Sequence, residues 1–370
     1  MKRSLKYVLL LACILPLLSA QQLHAQVRLL DSLSEKPVAG ANIFSTDGAL
    51  VGLSGNDGHI ESKTTERSSA GPLTIQHVSY ENKKIPQHAI GVDTVIYLVP
   101  RHVEIGEVQV LDKSKYDYLV IKGYFRKQDF WNNKTRYFYD GILTYYLPLN
   151  KKGKLYRKLE HYRLFANQQS VDEFSKMMGW LTEPPNLTGL KEPYSVMQDL
   201  PKNSDLIQQD GKLVIQKDGL NLGFVQHNHA GDVQVYLDKV PPQTVGSIKI
   251  FRLQGQVSHM LEMEHYSSTD LRHPAQDKLI SKKASYIGAI KRKKEYGFIP
   301  FENVVEFYVM ERDYLTLQDI KEKNKEFTKG IFLEEKSSYT EKFWQDLDVY
   351  GIPQIPEGIA SQLGQQLKEL

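Results

Sequence analysis

Short runs of alternating apolar and polar residues, separated by turn residues, dominate the chain from residue 27 to about residue 110. Residues 73–78 alternate and are rich in β-branched side chains, and Gly55-Asn56-Asp57-Gly58 is typical of a tight turn because Asn and Gly tolerate positive φ. Strands that recur about every 8–12 residues with such turns between them predict a small β-sandwich.

The pattern changes after residue 110. Residues 113–131 carry apolar side chains at near-helical spacing, which predicts a helix or a linker followed by a helix over residues 111–135. Residues 136–370 predict a larger antiparallel, β-rich domain of the α+β type. Its predicted strands are residues 139–147, 155–165, 233–237, 247–253, 257–266, 281–290 and 303–310. Its predicted helices are residues 170–180 with Ser170 as cap, 314–327, 339–348 and a terminal stretch after Pro356. The predicted fold class is mainly β.

The first 25 residues have the layout of a secretory signal peptide. A basic head with Lys2, Arg3 and Lys6 precedes an apolar run of about 12 residues, and Ala25 before Gln26 is a suitable cleavage site. A membrane anchor is less favoured because a spanning helix needs roughly 20 apolar residues. A lipobox ending at Cys13 is a further alternative.

Removal of that segment changes the charge and redox picture. The whole chain has 47 Lys and Arg against 44 Asp and Glu; without the three basic residues of the segment the balance is 44 against 44. A neutral chain disfavours nucleic acid as a partner. Cys13 is the single cysteine, so the mature chain would have no disulfide and no thiolate ligand. No later segment is apolar enough to span a membrane as a helix.

The first part of the chain resembles a known domain family. The ordered motifs are Pro37-Val38-Ala39-Gly40-Ala41-Asn42-Ile43, Gly55-Asn56-Asp57-Gly58-His59-Ile60, His77-Val78-Ser79-Tyr80-Glu81, Ile96-Tyr97-Leu98 and Glu107-Val108-Gln109-Val110. Together they resemble the carboxypeptidase-regulatory-like domain. The resemblance implies a seven-stranded, transthyretin-like sandwich over residues 26–110, with Pro37, Gly40, Ala41, Asp57, Gly58 and Tyr80 as its structural motif. It also implies a structural or docking module of Gram-negative envelope proteins without peptidase chemistry. Ser79 stands where the family has Gly.

Few residues suggest chemistry. His227 and His229 would share one strand face and are the weak candidates for a metal site, which needs a third ligand; a solvated loop is the alternative interpretation. Glu262 and Glu264 could form a carboxylate pair, and Ser54 is the nearest approach to a nucleophile elbow. The basic run from Lys291 to Lys294 predicts a solvated hairpin tip, with an anionic contact as the alternative. No catalytic residue and no cofactor is predicted.

The predicted function is a secreted binding or scaffolding protein of the periplasm or outer membrane, without catalysis, that docks through its sandwich to an envelope protein or cell-wall polymer. The alternative is a periplasmic carrier that holds a lipid or another apolar ligand in a curved C-terminal sheet. A carrier predicts an empty apolar face at Leu143, Tyr145, Val305 and Phe307, whereas a scaffold predicts solid packing there. A small outer-membrane barrel is disfavoured because residues 155–165 and 257–266 carry polar groups on both faces.

Overall fold

The computed structural model of the chain describes residues 27–60, 71–86, 94–101, 112–150, 152–190, 193–241, 244–250, 252–293 and 295–370. The predicted signal peptide with its cleavage site at Ala25, the lipobox at Cys13 and the closing motif from Glu107 to Val110 lie outside these residues. Those three expectations stay predictions.

The first part of the described chain forms two small sheets. Their strands are β1 (Val27–Asp31), β2 (Asn42–Phe44), β3 (Leu50–Leu53), β4 (Leu73–His77), β5 (Tyr80–Ile85) and β6 (Thr94–Leu98). β1 and β6 pair in parallel, and the other four form an antiparallel sheet in the order β3-β2-β4-β5. Leu29 and Ile96 from the first sheet share one buried core with Ile43 and Ile75 from the second. This part is therefore a small sandwich.

Within the described residues, the remaining strands form one large antiparallel sheet. They are β7 (Tyr118–Trp131), β8 (Lys134–Pro148), β9 (Tyr156–Ala166), β10 (Ser204–Gln209), β11 (Lys212–Lys217), β12 (Leu220–His227), β13 (Val233–Asp238), β14 (Gly246–Ile250), β15 (Leu253–Tyr266), β16 (Leu279–Arg292), β17 (Ile299–Leu315) and β18 (Lys368–Glu369). The order is β10-β11-β12-β13-β15-β16-β17-β7-β8-β9-β18, with β14 beside β15. The predicted mainly β, antiparallel fold class is confirmed.

The helices are short and peripheral. Those in the described residues are α1 (Gln168–Met178), α2 (Leu317–Glu322) and α3 (Glu357–Ala360), with 3₁₀ turns at Lys113–Lys115, Gly179–Leu181, Val196–Gln198, Gln276–Lys278 and Leu347–Tyr350. The predicted helix at residues 170–180 corresponds to α1. Its cap is Asn167 rather than Ser170, because the Asn167 side chain accepts a hydrogen bond from the Ser170 amide.

Two helix predictions are wrong and two are too long. Residues 118–131 form β7, not a helix, because this strand is buried along nearly its whole length and apolar residues on both faces imitate helical spacing. β17 extends to Leu315, so the predicted helix at 314–327 shrinks to α2. The predicted helix at 339–348 is absent apart from the start of the 3₁₀ turn Leu347–Tyr350, and the terminal helix after Pro356 shrinks to α3. Tertiary packing overrides local propensity in each of them.

The two faces of the large sheet are covered by different parts of the chain. We call the face with Leu143, Tyr145, Val305 and Phe307 the loop face, because the loop of residues 184–190 and 193–200 crosses it. All four side chains are buried. The Tyr145 hydroxyl donates to the Leu190 carbonyl at 2.6 Å, and its ring packs edge-on against Phe307. The empty apolar face expected of an open carrier is therefore filled at Leu143, Tyr145 and Phe307, whereas Val305 lines a cavity at the end of the sheet.

The opposite face, which we call the sandwich face, carries the small sandwich. Phe44 and Leu50 of the sandwich pack with Phe138 and Val304 of the large sheet. Farther along, Ala39 and Leu53 pack with other side chains of the same face: Phe224, Tyr236, Leu261 and Met263. The two parts of the chain thus share apolar cores. No helix in the described residues has the length and apolar character that crossing a membrane requires.

Candidate ligand-binding cavity

The structure separates the two histidines that the sequence singled out for metal. The His227 Nδ1 lies 3.0 Å from the Gly231 carbonyl, and the His229 Nδ1 lies 3.8 Å from the Asp31 carboxylate. Across the described part of the chain, no three His, Cys, Asp or Glu side chains converge as metal ligands do. These histidines therefore stabilise a turn and the contact between sandwich and sheet.

The other chemical candidates are also held by structural partners. Glu262 pairs with Lys239 at 2.8 Å, while Glu264 pairs with Lys282 at 3.1 Å and accepts hydrogen bonds from the Val196 amide at 3.0 Å. The Glu264 carboxylate thus anchors the 3₁₀ turn Val196–Gln198. Ser54 is fully buried, and its hydroxyl donates to the Val38 carbonyl at 2.8 Å. Neither arrangement leaves a carboxylate pair or a serine free for substrate.

A cavity of about 530 Å³ lies at one end of the large sheet, between the loop and α1. We call it the end cavity. Its apolar wall includes Phe130, Trp131, Phe174, Met178, Met260, Leu261, Tyr286, Ile290, Phe301 and Val305. Its polar lining includes Lys127, Asp129, Arg136, Glu183, Asn186, Thr188, Glu262, Ser285, Glu302 and Asn303. Met260 is 39% exposed, so the cavity opens to solvent beside it. The volume is within the usual range for small-molecule sites, roughly 300–1,000 Å³.

A β-bulge places one arginine in this wall. The β7–β8 register shifts between Asp129 and Phe130, which leaves Arg136 as the extra residue opposite Asp129. Such bulges re-aim a side chain. The Arg136 guanidinium lies 3.6 Å from the Asp129 carboxylate and 3.8 Å from the centre of the Phe174 ring. Its Nε is buried and has no hydrogen-bond partner among the described residues. The cavity wall therefore holds a cationic side chain, which is 10% exposed and lines the cavity.

Four other polar residues of the lining, Lys127, Asp129, Asn186 and Asn303, are held by hydrogen bonds. The Lys127 ammonium donates to the Asn186 carbonyl and to Asn186 Oδ1, both at 3.0 Å. Asp129 accepts a hydrogen bond from the Asn303 side chain. Burial lowers the pKa of Lys127, an effect that the nearby Asp129 carboxylate opposes. Since these groups satisfy one another, they form a rigid floor rather than a reactive centre.

A second, polar cavity of about 280 Å³ lies between the sandwich and the large sheet. There the Ser79 hydroxyl lies 3.4 Å from His265 Nδ1, and His265 Nε2 lies 3.2 Å from Asp232. The serine–imidazole–carboxylate order is that of a hydrolase triad.

The contacts of this cluster are structural. The separation of 3.4 Å between the Ser79 hydroxyl and His265 Nδ1 is longer than a strong hydrogen bond. The Ser79 amide already donates to His77 Nδ1. The hydrogen bond from His265 lowers the Asp232 pKa. We interpret the cluster as an interdomain polar contact.

One buried lysine joins the sandwich to the large sheet. The Lys283 amine donates to the Gly40 carbonyl at 2.6 Å and to Asn42 Oδ1 at 2.7 Å. Burial lowers the pKa of Lys283 to about 7, although the Glu306 carboxylate opposes the change. In its neutral form the Lys283 amine has two N–H donors, which match its two acceptors, the Gly40 carbonyl and Asn42 Oδ1.

No protein-family model matches the chain, and no curated protein matches it.

The end cavity was not predicted from the sequence. Its only local signal was the density of aromatic residues, and a bulge and a distant loop bring its members together.

Proposed function

We propose that this chain is a secreted, non-enzymatic binding protein of the cell envelope that holds a small amphiphile in the end cavity. The proposal keeps the binding class predicted from the sequence and gives it a site. The signal-peptide pattern of residues 1–25 supports secretion. The location in the envelope rests on that pattern and on the family resemblance of the sandwich.

The observation that carries the proposal is the combination of an apolar wall and one cationic side chain. Trp131, Met260 and Phe301 offer an apolar surface, on which a hydrocarbon or ring system gains free energy by leaving water. The Arg136 guanidinium, which also lines the cavity, supports binding of an anionic or hydrogen-bond-accepting group. A ligand with an apolar body and an accepting head, such as a fatty acid, fits both features.

The filled interior of the sheet limits how much a ligand can occupy. Since Leu143, Tyr145 and Phe307 are buried under the loop, the ligand would lie at the end of the sheet and not along its length. This favours a compact amphiphile over a long lipid that fills a half-barrel.

A fluorescent fatty acid tests the proposal. cis-Parinaric acid should bind the chain from Gln26 onward and quench Trp131, which lies in the cavity wall. Ala284→Phe should abolish binding because Ala284 lines the cavity. Arg136→Met should weaken binding about tenfold through loss of a charge-assisted hydrogen bond.

The matched control is Ala289→Phe. Ala289 lies on the same strand but pairs in register with Pro300 and does not line the cavity, so binding should be unchanged. Equal loss in both variants, with both folded by circular dichroism, would contradict the proposed site. N-phenyl-1-naphthylamine is an apolar probe without a carboxylate head group. If Arg136→Met weakens the binding of this probe and of cis-parinaric acid by the same factor, the proposed role of Arg136 is contradicted.

A further inference from the structure

Three segments meet at the end of the sheet beside the end cavity. They are the turn between β14 and β15, the turn between β16 and β17, and the C-terminal end of α1. The Lys293 amide donates to the Arg252 carbonyl at 2.8 Å, which joins the two turns. The Arg292 Nε donates to the Met177 carbonyl at 3.3 Å, which joins the second turn to α1. These contacts make one continuous rim.

The rim is basic. Lys176, Arg252, Arg292 and Lys293 are exposed there. Lys294, the last residue of the basic run, lies outside the described residues. Acids nearby include Glu295, which accepts a hydrogen bond from the Arg292 amide at 3.0 Å, Glu183 in the cavity lining, and Glu173 of α1, which pairs with Lys134 at 3.9 Å. Basic residues are in excess on the rim, although the mature chain as a whole is balanced.

The rim also exposes large aromatic side chains. Trp180 follows α1 and is 77% exposed, and Tyr296 at the tip of the β16–β17 turn is fully exposed. Exposed aromatic side chains of this size are costly in water. Trp and Tyr are enriched at membrane–water interfaces, where the ring is apolar and the polar atom stays hydrated.

We infer that this rim docks on an anionic lipid surface. Clustered Lys and Arg are attracted by anionic headgroups, and Trp180 and Tyr296 would enter the interfacial layer. The inference rests on the proposed binding function, because the rim adjoins the cavity. Met178 and Ile290 line the cavity. Along the chain, Met178 lies two residues from Lys176 and Ile290 lies two residues from Arg292. A docked rim would let an amphiphile pass between membrane and cavity without crossing bulk water.

Vesicle co-sedimentation tests the inference with the chain from Gln26 onward, which contains every described residue. We expect binding to vesicles of phosphatidylcholine with phosphatidylglycerol and far weaker binding to phosphatidylcholine alone. The triple variant Lys176→Gln, Arg252→Gln, Lys293→Gln should weaken binding on the order of a hundredfold. Trp180→Ser with Tyr296→Ser should weaken it about tenfold.

The matched control removes three exposed lysines at the opposite end of the strands: Lys321→Gln, Lys325→Gln and Lys329→Gln. The segment that holds them contacts the start of β9, where the Thr328 amide donates to the Arg157 carbonyl at 2.8 Å. Their net charge change equals that of the rim triple, so vesicle binding should stay near the wild-type level. Equal weakening in both triples would overturn the inference, since it would show a response to net charge only.

Two further outcomes separate this inference from the proposed function. If Ala284→Phe abolishes cis-parinaric acid binding while vesicle binding persists, the rim and the cavity are independent surfaces and both proposals hold. If the chain binds cis-parinaric acid but no anionic vesicle, the rim inference alone is overturned. Preference for soluble heparin over anionic vesicles, with no effect of Trp180→Ser and Tyr296→Ser, would also overturn it and indicate a polyanion site.

Discussion

At the scale of single residues, close backbone approach explains one of the motif positions. Gly58 has φ +80°, and a Cβ there would lie 2.5 Å from the Leu29 carbonyl oxygen. The same Leu29 oxygen accepts a hydrogen bond from the Val38 amide at 2.9 Å. The turn that the sequence predicted at residues 55–58 therefore needs glycine for space as well as for backbone angle.

A pair of glycine variants separates these two requirements. Gly211 has φ +76°, but a Cβ there would meet no atom within 4 Å. Gly211→Ala should cost about 1 kcal/mol through backbone strain alone, and Gly58→Ala should cost about 3 kcal/mol because the turn must also shift. Urea unfolding of both variants measures the difference. Equal costs would show that backbone angle alone selects glycine at residue 58.

At the scale of elements, the loop over the large sheet is fixed by buried polar contacts. Besides Lys127, the Tyr139 hydroxyl donates to the Asn186 carbonyl at 2.6 Å, and the Thr188 amide donates to Asn186 Oδ1 at 2.9 Å. Asn186 therefore connects β7 and β8 to the loop. Loss of its side chain would leave the Lys127 ammonium with one acceptor fewer in a buried site.

Asn186→Ala should destabilise the protein by about 2 to 3 kcal/mol, because buried polar partners lose an acceptor. Asn150→Ala is the control, since Asn150 Oδ1 accepts only an exposed hydrogen bond from the Lys152 amide; it should cost less than about 1 kcal/mol. Hydrogen exchange should speed up at the Leu187 amide, which donates to the Ile331 carbonyl. Unchanged exchange there would contradict the anchoring role of Asn186.

The elements also show what could be predicted from sequence. The strands at 233–237, 257–266 and 281–290 were predicted because alternation survives in them. β7 was mistaken for a helix because Tyr124 and Phe130 face one side while Phe125 and Trp131 face the other. The end cavity could not be predicted, since it depends on a one-residue bulge at Arg136 and on a loop about 50 residues away in sequence. Such juxtapositions are set by tertiary packing and leave no local pattern.

At the scale of the whole molecule, buried groups join the sandwich and the large sheet. Lys283 donates to Gly40 and Asn42, and the Gln76 side chain donates to the Glu306 carboxylate at 3.3 Å. The surface of the sandwich, the domain predicted to dock a partner, is therefore partly covered by the chain's own sheet. Docking of the sandwich to a separate envelope protein or cell-wall polymer stays a prediction, and its remaining exposed surface would have to supply the contact.

Stability should depend on pH through Lys283. Its pKa is about 7 in the folded chain and near 10.4 when unfolded. Between these values the unfolded state binds more protons, so the free energy of unfolding should rise by about 2 kcal/mol from pH 7 to pH 9. His77 and His265 lie nearby, and burial lowers the His77 pKa well below this window.

Urea unfolding at several pH values checks this, with Lys283→Met as the comparison. The rise should be present in the wild type and absent in the variant, because Met cannot titrate. A rise of the same size in Lys283→Met would assign it to other groups. A flat wild-type profile would show that Lys283 keeps an ordinary pKa and that the interface is hydrated.

The central claim is that the end cavity holds a small amphiphile. Native mass spectrometry of the chain, purified without detergent from the cells that produce it, tests the claim most directly. We expect a bound mass that denaturation releases and that extracts into organic solvent, and we expect no such mass on Ala284→Phe purified in the same way. A bare wild-type chain, or a bound mass that Ala284→Phe retains, would contradict the claim.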